Sequence, residues 1–363
     1  MLKQLKTFVK NLLALPFVRK LSTATMNIIL AIAGSNRLFA SIYSTLGLLT
    51  FNREQYAVLR GRRNYYRNLT RDTRTSVELR RNIHRLEKGI IMQLRRDVFA
   101  RDYIGETMDF YERAVAQYGR DASSMDGAEL EWATSVLLRY FELSAVGDDR
   151  VDAMRARFDD LKDVFAATGK STPYIADDRA PHAVSFADMT TLARHRRSVR
   201  WYTKKQVPRS DIDKALEVAA QSPTACNRMP YEYRIFDDPQ LVKEVADIPF
   251  GAGGYSHQMP NVAVVVGKLD SYFSPRDRHA IYVDGSLSAM SFIYALETQG
   301  ISSCIINWPD FEPLEMKMQK KLGLGPDERV IMLIAFGYAD PKGEIPYSMK
   351  KDVETFRSYN KVA

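Results

Sequence analysis

Arg196-Arg197-Ser198-Val199-Arg200 decides how this chain is read, together with Ser222-Pro223-Thr224-Ala225-Cys226-Asn227-Arg228-Met229-Pro230-Tyr231 about 25 residues later. The first stretch alternates guanidinium and hydroxyl donors directly after a helical run. That is the layout of a phosphate clamp, because an arginine fork meets phosphate bidentately and a serine hydroxyl adds a neutral donor. The second is rich in turn formers and joins a helix to a strand, with the amide side chain of Asn227 at its centre. Alone, an R-R-S-x-R string is weak, since solvated turns share it. Its position between a helix and the second stretch gives it weight.

Working outward, helices and strands alternate. Residues 186–195 and 209–221 read as helices, the second capped by Ser210. A short strand at 233–236, a helix at 239–247 and a buried strand at 262–266 follow. A long, mostly apolar helix at 279–299 is closed by Gly300. Strands at 301–307 and 330–338 flank a helix at 313–322. The pattern predicts an α+β domain, a mixed sheet covered by helices, over 186–363.

Upstream the character changes. Residues 171–185, with Pro173 and Pro181 and no periodicity, read as a linker. Residues 51–170 read as a helical, basic domain, with nine arginines between Arg60 and Lys88. Such a run is either a solvated helix face with internal ion pairs or a polyanion site. His84 and Glu87 share a helix face, but a metal site needs several such pairs. Residues 1–50 form an apolar leader in which Leu2, Leu5, Val9, Leu12 and Leu13 interleave with Lys3, Lys6 and Lys10 as a basic amphipathic helix. The two later apolar runs are divided by Ser35-Asn36-Arg37, and neither reaches the roughly 20 residues of a membrane span. The leader packs on its own protein or attaches peripherally to an anionic membrane surface.

The 363 residues carry a net charge of +8 and 45% hydrophobic residues, as in a soluble globular protein that meets anionic partners. Two cysteines, far apart, exclude a disulfide framework and point to a cytoplasmic, reducing compartment. No P-loop, H-E-x-x-H or Cys-x-x-Cys string is present, and the glycines of Gly251-Ala252-Gly253-Gly254 precede a strand where a dinucleotide fingerprint would open a helix. The arginine run has too few aromatics for single-strand stacking, so no specific nucleic acid is expected.

Four ordered segments resemble the FMN-dependent nitroreductase family, covering roughly 187–350. The resemblance implies that Arg196, Arg197, Ser198 and Arg200 grip the FMN phosphate and ribityl chain. It implies that Pro223, Thr224, Ala225 and Asn227 meet the flavin across a homodimer interface. Cys304 and Ile305, in Gly300-Ile301-Ser302-Ser303-Cys304-Ile305-Ile306-Asn307, match the strand whose amides lie near flavin N5. Lys350 and Lys351 match a second basic pair against the phosphate. The loop before the central strand departs from the family by lacking a lysine, so Gln258 or backbone amides would replace it.

The implied activity is hydride transfer from NAD(P)H through FMN to a small acceptor, a nitroaromatic or quinone, by a ping-pong route. The flavin carries the chemistry, with no catalytic side chain, and neither Cys226 nor Cys304 is a nucleophile. Arg80 to Gly89 resembles the extension of nitroreductase-like proteins in bacterial polysaccharide clusters. It motivates an alternative, an FMN- or nucleotide-binding partner without turnover in surface-polysaccharide or membrane assembly. A flavin-consuming member of the superfamily is a further alternative.

Overall fold

The computed structural model describes residues 15–47, 49–165 and 167–362. The amphipathic helix expected at 2–13 lies outside them. Val262, Ala263, Val264, Val265 and Val266 are all fully buried, and they set the architecture. They lie in β2 (Asn261–Lys268), which is flanked by β1 (Tyr231–Phe236) and β4 (Glu328–Gly337), with β3 (Ser302–Asn307) at the far edge of β4. All three pairings are antiparallel, with Val264 facing Arg234 on one side and Leu333 on the other. Ser198 adds one parallel bridge to Ser303, so the completed sheet is mixed.

A strand buried on both faces reads as an unbroken apolar run. Val262, Val264 and Val266 pack with α10 (Pro239–Ala246) and α12 (Glu312–Leu322). Ala263 and Val265 face α9 (Arg209–Ala219) and α11 (Ala280–Thr298). Each such valine contributes on the order of 1.5–3 kcal/mol on burial. Gly285 lets α11 sit this close, because a Cβ there would meet Ile331 Cδ1 at 2.4 Å. One local expectation fails. Ser210 does not cap α9: Pro208 stands at the N-cap with no side-chain bond, its φ of −60° already suited to the helix.

The N-terminal helices before the bundle are α1 (Pro16–Ala33), α2 (Arg37–Gly47) and α3 (Leu49–Asn68). The bundle itself is α4 (Val77–Ile90), α5 (Ile104–Arg120), α6 (Gly127–Leu143) and α7 (Asp149–Asp159). Its core is Leu79, Ile83, Leu86, Met108, Tyr111, Leu130, Tyr140 and Phe158. Helix α3 packs on the sheet-bearing unit, where Ala57 joins Leu269, Tyr272 and Ile281. A Cβ on Gly61 would fall 2.7 Å from Leu269 Cβ, so the helix approaches backbone to backbone. Arg53 pairs with Glu312 at 2.5 Å, and Asn64 donates to Asp327 at 3.0 Å. No described helix is long and apolar enough to cross a membrane, and no cluster of metal-ligating side chains occurs among the described residues.

The arginine run is partly paired. Arg80 meets Glu129, Arg81 meets Glu78, Arg62 donates to the Phe273 carbonyl, and Arg85 lies 3.5 Å from the Tyr103 ring centre.

Candidate active site

Helix α8 (Phe186–His195) delivers the arginine stretch. Ser185 and Asp188 close a capping box at its start, each accepting from the other's backbone N–H. At its end His195 Nδ1 lies 2.8 Å from Glu297 Oε1 of α11. The chain then bonds to β3, Val199 N–H donating to the Ser303 carbonyl at 3.0 Å. Val199 is buried, and the Tyr202 hydroxyl lies 2.7 Å from its carbonyl. Buried valine and tyrosine anchor the segment, while the intervening residues face outward.

Arg196, Arg197 and Arg200 make no ion pair among the described residues. Arg197 Nη1 donates to the Arg196 carbonyl at 3.0 Å, and Arg200 Nη1 reaches the Ser198 carbonyl at 3.4 Å. Arg196 Nε is buried without a hydrogen-bond partner. Three arginines within five residues, none in an ion pair among the described residues, make a candidate anion site, and the orphaned Arg196 Nε fits an oxyanion from outside the chain, although the Glu297 carboxylate stands beside His195.

The adjoining wall is β3 with the loop at 250–258. Cys304 is buried and Ile305, its neighbour on the opposite face, is exposed. Cys304 Sγ lies 3.8 Å from the Tyr255 hydroxyl, and Arg200 stands 5.7 Å from the Tyr255 ring centre. Burial, then the neighbouring Cys304, pushes the Tyr255 hydroxyl up to about 12. Tyr255 is not among the expected site residues; its one signal in the sequence is an aromatic residue directly after the Gly253-Gly254 pair. Gln258, the expected lysine substitute, is half-buried and donates its backbone N–H to the Tyr255 carbonyl at 3.0 Å.

The loop at 223–229 is strained. Cys226, Asn227 and Met229 have φ of 54°, 54° and 51°, the left-handed region that costs side-chain-bearing residues about 1–2 kcal/mol each. Surrounding bonds hold it. Ala225 N–H donates to Asp284 Oδ2 at 2.9 Å, Met229 N–H to Thr224 Oγ1 at 3.2 Å, and Arg80 Nε to the Asn227 carbonyl at 2.8 Å. The Tyr272 hydroxyl adds a 3.3 Å contact to the same Asp284 oxygen. Pro223 is exposed at the loop's entry.

Arg196, Arg197, Ser198, Arg200, Cys304 and Ile305 therefore stand together, at the end of α11 marked by Glu297. In the loop at 223–227, Ala225 is held towards the other end by Asp284, while Ser222, just before Pro223, meets Ser291 nearer the middle of the helix. Thirteen residues of helix separate Asp284 from Glu297, about 20 Å at 1.5 Å per residue. Lys350 and Lys351 are exposed on the extended C-terminal tail, and their side chains bond to nothing among the described residues.

Residues 193–266 and 256–338 match the Nitroreductase family. An Archaeoglobus fulgidus relative, whose name pairs NADH dehydrogenase with NAD(P)H nitroreductase, is 28% identical over 153 residues, 41% of this chain and 83% of that relative. A Thermus thermophilus NADH dehydrogenase is 30% identical over 90 residues, 25% of this chain and 43% of that protein. An FMN-dependent nitroreductase of Clostridium difficile R20291 superposes with a TM-score of 0.41 at 18% identity, covering 48% of this chain and 100% of that one. The sheet-bearing C-terminal half of this chain is a domain of the Nitroreductase family.

Proposed function

We propose that this protein is an FMN-dependent oxidoreductase that accepts a hydride from NAD(P)H and passes it to a small-molecule acceptor in two half-reactions, as a homodimer. The observation that carries the reading is the arginine trio at 196, 197 and 200, which makes no ion pair among the described residues and contains a buried, unpartnered Nε. A flavin phosphate is the anion of matching size and charge in this family. Bound FMN would supply the two-electron chemistry; the chain's own residues hold the cofactor and shape its surroundings.

In this reading Arg196, Arg197 and Arg200 bind the phosphate, with Ser198 a neutral donor. Tyr255, protonated at neutral pH, offers a hydroxyl beside β3 and closes one side against water. The helix rise of about 20 Å between Asp284, which holds Ala225, and Glu297, beside the arginine stretch, is in keeping with the homodimer. One chain brings the arginines and β3; loop 223–227 meets them only when supplied by a second copy. Apolar residues are exposed in the right places: Phe186 and Met189 on α8, Val283 and Leu287 on α11, and Tyr347 and Met349 on the tail. Lys350 and Lys351 sit on that tail, where a partner's phosphate would draw them in.

Purified protein should show the visible absorbance of an oxidised flavin, and NADH or NADPH should bleach it without oxygen. Colourless protein that binds no added FMN overturns the proposal. Bound flavin that neither nicotinamide bleaches favours the alternative, a flavin-binding partner without turnover in a surface-polysaccharide or membrane assembly. One observation motivates that alternative. Residues 1–53 contain no Asp or Glu, while α1 and α2 expose Phe17, Leu21, Ile28, Ile32, Leu38 and Leu46. An apolar, cationic hairpin suits peripheral contact with an anionic membrane from the cytoplasmic side.

A further inference from the structure

A second cationic site lies where the helical bundle meets the sheet-bearing domain. The cavity there measures about 510 Å³ and is bounded by Arg71, Arg74, Arg80, Arg113, Arg228 and Lys268. Three acidic side chains, Glu78, Asp126 and Asp270, share the wall. These acids have their own partners. Glu78 pairs with Arg81 through Oε2 and more distantly with Arg228 through Oε1, Asp126 accepts from the Ala128 N–H, and Asp270 accepts from Asn68.

The cations are less fully spoken for. Arg71 and Arg74 are exposed, and their side chains bond to nothing among the described residues. Arg228 is only 6% exposed; its Nη2 lies 3.7 Å from Glu78 Oε1 and its guanidinium 5.0 Å from the Tyr272 ring centre, but its Nε has no hydrogen-bond partner. The first turn of α4, at Ser76 to Glu78, borders the same space and its dipole favours negative charge, though the Ser76 N–H already donates to Glu129 Oε1 at 2.8 Å. Tyr65, Phe110 and Tyr231 supply aromatic wall.

The geometry points to a binding site for a phosphate-bearing small molecule of mononucleotide size, held by Arg71, Arg74 and Arg228 in the junction. The volume lies within the range of small-molecule pockets, and two free arginine forks suit a phosphate. This site is distinct from the arginine trio at 196–200 and stands whether or not that trio holds a flavin. Arg71, Arg74 and the first turn of α4 lie outside the family match, which begins at residue 193, while Arg228 and Lys268 lie within it.

Calorimetric titration of the full chain at constant ionic strength, with ADP and separately with inorganic phosphate, tests it. ADP is expected to bind at one site per chain. Arg71→Ala/Arg74→Ala should weaken it at least tenfold, with melting temperature and flavin content unchanged, whereas Arg196→Ala should leave ADP affinity intact. Tighter binding of ADP than of phosphate supports a nucleotide-like ligand on the aromatic wall; equal binding supports the same site with free phosphate as its source. No heat from either probe at millimolar concentration overturns the site. So does binding indifferent to the Arg71/Arg74 pair, or loss only with Arg196→Ala, which would place the anion at the other cluster.

Discussion

Arg80 Nε donates a 2.8 Å hydrogen bond to the carbonyl of Asn227, joining the helical bundle to the strained loop of the sheet-bearing domain. The same guanidinium pairs with Glu129 Oε2 at 3.1 Å, and the Glu129 side chain is wholly buried. One residue of α4 thus ties α6 to a loop 147 positions away. Burial pushes the Glu129 carboxyl up, and Arg80 counters that shift.

Arg80→Ala is therefore expected to destabilise the protein by about 3–5 kcal/mol, the range for stranding a buried charge. Arg80→Met/Glu129→Gln should recover part of that loss, because no unpaired carboxylate remains. Denaturant unfolding of the three proteins checks this. Equal stability of Arg80→Ala and the parent chain would remove the brace from the account.

Arg196→Ala/Arg200→Ala should weaken flavin retention by roughly ten- to a hundredfold, the equivalent of about 1.5–3 kcal/mol for lost charge-assisted bonds. Stability should be unchanged or slightly raised, since neither arginine pairs with an acid. The ratio of flavin to protein absorbance after gel filtration, read beside the melting temperature, distinguishes the two effects. Undiminished flavin in the double variant refutes the phosphate assignment.

Replacing Cys226 and Cys304 by serine should leave turnover within an order of magnitude. Cys304 is a buried packing residue beside Tyr255, and Cys226 sits in the braced loop with no base arranged around it. Loss of all activity with fold and flavin retained would reveal a thiol mechanism.

Asp270 gives a pH signature. Burial, then the neighbouring Asp327 carboxylate, raises its pKa from 3.8 to about 6. Between those values the folded state binds more protons than the unfolded one, so the Asp270 contribution to stability falls as pH rises through about 6. The charged form is strained at pH 7, and Lys268 offsets part of that strain. Asp270→Asn should raise stability at pH 7.5 by about 1 kcal/mol after allowance for screening, and by nothing measurable near pH 4. Melting curves at the two pH values decide; an equal effect at both rejects the titration.

Deleting residues 1–47 should abolish co-sedimentation with anionic liposomes at low salt and leave a flavin-binding dimer. Each lysine near an anionic surface is worth about 1 kcal/mol, so binding should be weak and salt-sensitive. Full-length protein that ignores such liposomes assigns the apolar hairpin to protein contacts. Insolubility of the shortened chain assigns it to the protein's own core.

Much of the sheet-bearing half was legible from residues alone. β2 reads as a strand because five consecutive apolar residues are buried on both sides, and α11 reads as a helix because its apolar run is long and ends at glycine. Strand and helix periods are local properties, and so is the donor pattern of Arg196 to Arg200. Only the tertiary structure decided what those arginines lack. No spacing in sequence says that they form no ion pair, or that Tyr255 closes on Cys304. The docking of α3 on the sheet-bearing domain was equally hidden, because Gly61 marks a close approach only once its partner Leu269 is known. The bracing of Asn227 by Arg80 depends on two segments 147 residues apart meeting at one carbonyl. Such long-range pairings arise from how whole elements bury their faces, and no local pattern encodes which charge will find which partner.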